Sequence, residues 1–132
     1  MSEAEEIRTA LIANQAFYEA FAGGDYARME ALWATTAPAL CTHPGSPPIH
    51  GRPGVMQGWR QVLEHPPSVR ASDAQVTVIR GVAFVTCLEH IDDSVLAATN
   101  VFVWEDGRWA LVHHHAGPVR PEREAEPRGP LH

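Results

Sequence analysis

The stretch NVFVWEDGRWALVHHHAG, residues 100–117, decides how this chain folds. Two runs with an apolar period of two flank Asp106–Gly107. That pattern reads as a β-hairpin. Three consecutive histidines close its second strand. Strand alternation separates them, so His113 and His115 share one face and His114 stands on the other. Which face looks inward depends on the turn. Glu105-Asp106-Gly107 suits a three-residue loop with Gly107 in a left-handed bulge, which pairs Trp104 with Arg108. Asn100 then lies opposite Val112 and Phe102 opposite Ala110. Asn100, Phe102, Val112 and His114 share the inner face, joined across the preceding hairpin by Phe84, Thr86, Leu88 and His90. The outer face carries Glu89, Val101, Val103, Leu111, His113 and His115. A two-residue turn would pair Trp104 with Trp109 instead and swap the faces of the last strand.

Upstream, the period of two continues. Residues 69–80, 81–91 and 94–105 read as three further strands, with Asp92–Asp93 as a second hairpin turn. Before residue 69 the pattern changes. Residues 4–22 carry Ile7, Leu11, Phe17, Tyr18 and Phe21 at a loose helical period, and Gly23–Gly24 end it. Asp25 reads as the N-cap of a second helix, YARMEALWA, with Met29, Leu32 and Trp33 on one face. Residues 37–43 form a short strand, and residues 44–54 a turn-rich loop with no regular structure. A third helix spans about Val55 to Glu64, with Val55, Trp59, Val62 and Leu63 as its stripe and Pro66–Pro67 after it. Helices followed by an antiparallel meander give an α+β fold: about three N-terminal helices on a curved, mostly antiparallel sheet. Residues 1–119 form one domain, and the Pro-rich, charged residues 120–132 are expected to be a mobile tail.

Composition narrows the function. The chain has 132 residues, 45% apolar and 20% charged, as in an ordinary globular domain. Its net charge of −6 argues against nucleic acid, and all ten basic residues are arginine. No apolar run reaches the roughly 18 residues of a membrane span, and the acidic N-terminus does not read as a signal peptide, so a cytoplasmic protein is expected. Cys41 and Cys87 read as buried free thiols. The alternation of Val85, Cys87, Val101, Val103 and Leu111 suggests a second apolar sheet face, which predicts a homodimer through the back of the sheet.

His114 is the first candidate for acid/base chemistry, since imidazole titrates near neutrality. Asn100 is placed to donate to a developing oxyanion. His43, in CTHPG, is a second proton carrier or ligand contact, or else a strand-end cap. Phe17, Phe21, Trp59, Thr86, Leu88, His90 and Phe102 are expected to line the pocket around Asn100 and His114. Trp33 and Trp59 read equally as core. His113-x-His115 has the spacing of two metal ligands, but a metal needs a third, such as His43, Glu89 or Asp92. The pair reads instead as interface histidines, and neither a metal nor a cofactor is expected.

FYEAFAGGDYARMEALWA, CTHPGSPPIHGRPGVMQGWRQVL and NVFVWEDGRWALVHHHAGP together resemble the nuclear transport factor 2-like superfamily, in its SnoaL-like branch, over about residues 8–119. The resemblance implies a cone of helices wrapped by a curved sheet, a pocket at the open end, and commonly a dimer. It implies either cofactor-free proton transfer, by an isomerase, dehydratase or cyclase, or a non-catalytic accessory module. Some relatives use an aspartate–histidine dyad near the GD position, but Asp25 here fits a helix cap. The tyrosine–aspartate pair of the steroid isomerases has no counterpart in the sequence pattern. The expected ligand is a small apolar molecule bearing a carbonyl or hydroxyl.

Overall fold

The computed structural model describes residues 1–120. Of the tail predicted at 120–132, residues 121–132 lie outside the described residues. Helix α1 spans Glu3–Gly23. Ser2 caps it in a capping box with Glu5, and Gly24 closes it in the left-handed conformation at φ 62°. A Cβ at Gly24 would lie 3.0 Å from the Pro66 ring, so glycine serves both the turn and the close approach. Asp25 caps helix α2 (Tyr26–Leu32), accepting from the Arg28 amide at 3.1 Å. Helix α2 stops earlier than predicted. Its end is held by Arg52, which donates to the carbonyls of Glu30, Trp33 and Ala34. Helix α3 (Arg52–Glu64) has a proline in its first turn and buries Val55, Met56, Trp59 and Leu63.

The strands are β1 (Leu40–Thr42), β2 (Ile49–His50), β3 (Val69–Ile79), β4 (Val82–Ile91), β5 (Ser94–Glu105) and β6 (Arg108–Pro118). They form one curved sheet in the order β2-β1-β6-β5-β4-β3. The four long strands are the predicted meander. Two features were not legible in the sequence. Strand β1 pairs with β6 in parallel, and Ile49–His50, predicted as loop, forms a short antiparallel edge. The predicted third helix begins three residues later than the observed one.

The last hairpin corrects the predicted turn. Asp106 (φ 52°) and Gly107 (φ 76°) make a two-residue loop, and Trp104 pairs with Trp109. Two left-handed residues are what a type I′ turn needs, and its twist matches the strands it joins. The same turn alone would bring His113 and His115 inward. It does not, because the register shifts one residue further along. Val101 pairs with His113 but Phe102 pairs with Leu111, leaving Val112 as a bulge. Asn100 therefore lies opposite His114, not Val112, and Phe102 opposite Leu111, not Ala110. His114 reaches the inner face as predicted, by a different route.

On β4 the predicted faces are inverted. Val85 pairs with Asn100, Cys87 with Ala98 and Glu89 with Leu96, and all six are buried. Phe84 and Thr86 are exposed on the outer face, and Leu88 and His90 are half-buried there. Of the five residues that motivated a homodimer, Val85, Cys87 and Leu111 lie in the core, and only Val101 and Val103 remain on the outer face. Helices α1 and α3 cover the inner face. Phe17, Phe21 and Trp59 stack edge to face at its centre, with ring centroids 5.0–6.1 Å apart.

Candidate functional site

Among the described residues, four polar ones lie buried in this core: Asn14, Glu89, Asn100 and His114. Burial of a polar group is unfavourable unless its hydrogen bonds are made inside. Here they form one connected chain with Tyr18. His114 Nδ1 donates to Asn100 Oδ1 at 2.6 Å. Asn100 Nδ2 donates to Asn14 Oδ1 at 2.8 Å and to the Tyr18 oxygen at 3.1 Å. The Tyr18 hydroxyl donates to Glu89 Oε2 at 2.6 Å. The network itself assigns the proton positions: Asn100 uses its oxygen on the histidine, so the imidazole carries its proton on Nδ1 and presents Nε2 as a lone pair. That Nε2 stands 3.8 Å from Glu89 Oε2.

Both groups are pushed toward neutrality. Burial, and then the neighbouring histidines 43, 113 and 115, lower His114 to about 3. Burial raises the Glu89 carboxyl above its usual range, against the opposing effect of the Tyr18 hydrogen bond. Burial and Glu89 together raise the Tyr18 phenol, which therefore stays protonated. Among the described residues, Glu89 Oε1 and Trp59 Nε1 have no hydrogen-bond partner. The arrangement thus places a carboxyl group and an imidazole, each held toward its neutral form, beside aromatic walls.

His43, Phe17, Phe21, Trp59, Asn100, Phe102 and His114, all predicted, lie on this interior. His43 packs 4.9 Å from the Trp59 ring and 6.5 Å from His114. Its Nε2 would lie 3.3 Å from a Cβ at Gly58, so that glycine makes room for it. Thr86, Leu88 and His90 do not belong, since the inverted register of β4 turns them outward. His90 contacts the Ser72 hydroxyl at 2.8 Å instead. Asn14, Tyr18 and Glu89 were missed. Asn14 and Tyr18 sit on the apolar stripe of α1, and Glu89 extends the Ala83-Val85-Cys87 alternation. A polar residue in phase with an apolar run was the signal that could have found them. His113 and His115 lie outward with rings 6.2 Å apart. Among the described residues no group of three His, Cys, Asp or Glu side chains is placed to hold a metal. Cys41 and Cys87 are buried free thiols as read from sequence, and burial raises Cys41 to about 12.

A surface depression of about 520 Å³ between α2 and α3 is lined by residues such as Arg52 and Arg60 and includes no member of the network. Among the described residues no helix is long and apolar enough to cross a membrane.

The structure is similar to that of a proposed dehydratase of the NTF2-like family from Streptomyces avermitilis, with a TM-score of 0.84 and 29% identity over 91% of this chain and all of that one. It is also similar to a proposed calcium/calmodulin-dependent protein kinase type II association domain from Thiobacillus denitrificans, with a TM-score of 0.69 and 28% identity over 82% of this chain and 93% of that one. In sequence it is 27% identical over 92 residues to the F-box protein SKIP8 of Arabidopsis thaliana, matching 67% of this chain but only 40% of that protein's length. The SnoaL-like domain family matches residues 11–121. With that span and the shared fold, the chain belongs to the SnoaL-like domain family of the NTF2-like superfamily.

Proposed function

We propose that this domain binds a small uncharged organic molecule and transfers protons on it, as an isomerase or dehydratase does. Glu89 is the acid and His114 the base. One observation carries the reading: a buried carboxyl and a buried imidazole, shifted in opposite directions, lie 3.8 Å apart. Paired groups whose environments drive them apart are how acid and base roles are divided in a site. In a dehydration, His114 Nε2 takes the proton from the carbon beside a carbonyl. The hydroxyl on the next carbon leaves with the Glu89 proton as water. The imidazolium and carboxylate left behind return to the starting state by moving the proton from one to the other. The similarity to the Streptomyces protein supports the same class of chemistry. No metal or cofactor enters this scheme.

The test is the protonation state of the pair. NMR at pH 7 should find His114 neutral with its proton on Nδ1, and Glu89 protonated. Turnover of β-hydroxyketones should then be lost in Glu89→Gln and in His114→Asn. An imidazolium–carboxylate pair at pH 7 would overturn the assignment. A second reading, a non-catalytic binding or accessory module, is favoured by the near-complete burial of every network member. It expects the neutral pair without any turnover.

A further inference from the structure

We infer that Asn14 and Tyr18 are positioning residues for His114: through the Asn100 amide, they decide which imidazole nitrogen carries the lone pair. The inference rests on the reading of His114 as the base, and adds what keeps that base in its working form.

A side-chain amide carries two N–H groups on its nitrogen and a carbonyl oxygen beside it. For Asn100 the count closes. Its nitrogen lies 2.8 Å from Asn14 Oδ1 and 3.1 Å from the Tyr18 oxygen, so each N–H has an acceptor. Its oxygen lies 2.6 Å from His114 Nδ1. Asn14 and Tyr18 are spaced i, i+4 on α1, which puts both on one face of the helix. A phenol has a single proton, and Tyr18 gives it to Glu89 at 2.6 Å. Toward Asn100, the Tyr18 oxygen can therefore only accept.

Turned over, the Asn100 amide would set its oxygen against two oxygens on α1, and both its N–H groups against one imidazole nitrogen. Asn14, Tyr18, Asn100 and His114 are all buried, so groups left unpaired by that reversal would stay unpaired. The two oxygens on α1 thus hold the amide one way round. The effect reaches the ring. A carbonyl facing Nδ1 requires the proton there and leaves Nε2 bare, 3.8 Å from Glu89. A reversed amide would donate to Nδ1 and move the ring proton to Nε2, and the base would lose its lone pair on the side of Glu89.

Nitrogen-15 NMR of the whole protein at pH 7 reads the tautomer, because a bare imidazole nitrogen resonates far from a protonated one. The native protein should carry the His114 proton on Nδ1. Asn14→Leu and Tyr18→Phe each leave Asn100 one oxygen on α1, and each should keep that form as the major one. Combined, they remove both oxygens. The amide should then turn its N–H groups to His114, and the Nε2–H form should become the major one. A merely structural role would lower stability in all three variants without moving the proton. The inference is overturned if native His114 carries its proton on Nε2, if either single variant switches as fully as the pair, or if a folded double variant keeps the Nδ1–H form. Where the double variant does not fold, the native amide decides. NOEs from the Asn100 amide protons to the Tyr18 ring support the inference, and NOEs to the His114 ring in their place overturn it. None of these readouts needs turnover. A switched double variant of a protein that does not act on β-hydroxyketones would leave the inference standing and remove only the catalytic reading. Turnover that depends on Glu89 and His114, beside a double variant that does not switch, would do the reverse.

Discussion

His114 and Glu89 face each other across 3.8 Å, and neither side chain is more than 2% exposed. The two come from strands that are not neighbours, since β5 lies between β4 and β6. Asn100 on that middle strand, with Asn14 and Tyr18 from α1, completes the link between them.

The buried imidazole makes stability depend on pH. His114 is lowered to about 3 in the folded chain, and an unfolded histidine titrates near 6.5. Between those values the unfolded state binds the extra proton, so stability falls as pH falls through that window. The slope from one such group is at most ~1.4 kcal/mol per pH unit. Urea titrations from pH 7 to 4 should show a steeper loss in the native protein than in His114→Asn.

Asn100 has three hydrogen bonds to lose. Asn100→Ala should lower stability by at least about 2 kcal/mol, because buried partners are left unpaired. Thr86→Ala, on the exposed outer face, should stay within about 0.5 kcal/mol of the native protein. Chemical denaturation with unchanged slopes measures both. A similar cost at the two positions would contradict the inward placement of Asn100.

Glu105 ties the end of β5 to residues 35–37. Its carboxylate accepts from the amides of Ala37, Thr35 and Thr36 and from the Thr35 hydroxyl, and these bonds, led by the Ala37 and Thr35 amides, lower it to about 2. A depressed acid stabilises above its unfolded value, near 4.3, and that contribution is lost as pH falls toward 2. Glu105→Gln should therefore melt below the native protein at pH 7, with the gap closing on acidification. A gap independent of pH would show that the charge is not what matters.

Arg80 occupies a left-handed position, φ 47°, ahead of Gly81 in the β3–β4 turn. A side chain with a Cβ is disfavoured there, and asparagine tolerates it better. Arg80→Asn should raise stability by about 0.5–1 kcal/mol, seen as a higher denaturation midpoint.

The sequence by itself determined what depends on neighbours along the chain. The Ser2 and Asp25 caps, the Gly24 stop, the Asp106–Gly107 turn and the alternation of the long strands act over a few residues. They set the element order and the α+β class. They also separated His114 from His113 and His115, because successive side chains on a strand point opposite ways.

Tertiary structure decided which of the alternating faces is inside. Alternation leaves two choices, and one extra residue exchanges them. The two-residue turn moved β6 by one position and the bulge at Val112 moved it back, so His114 is buried and Asn100 is its partner. On β4 nothing restored the predicted phase. Glu89 went inside and Thr86, Leu88 and His90 went out. The apolar residues on both sides of that strand made its faces indistinguishable by composition. The choice was made by what covers the sheet. Helix α1 brings Tyr18 and Asn14 over it, and Glu89 and Asn100 can be buried there because their hydrogen bonds close on that helix. Those partners are 71 and 86 residues apart in the chain, and only folding brings them together.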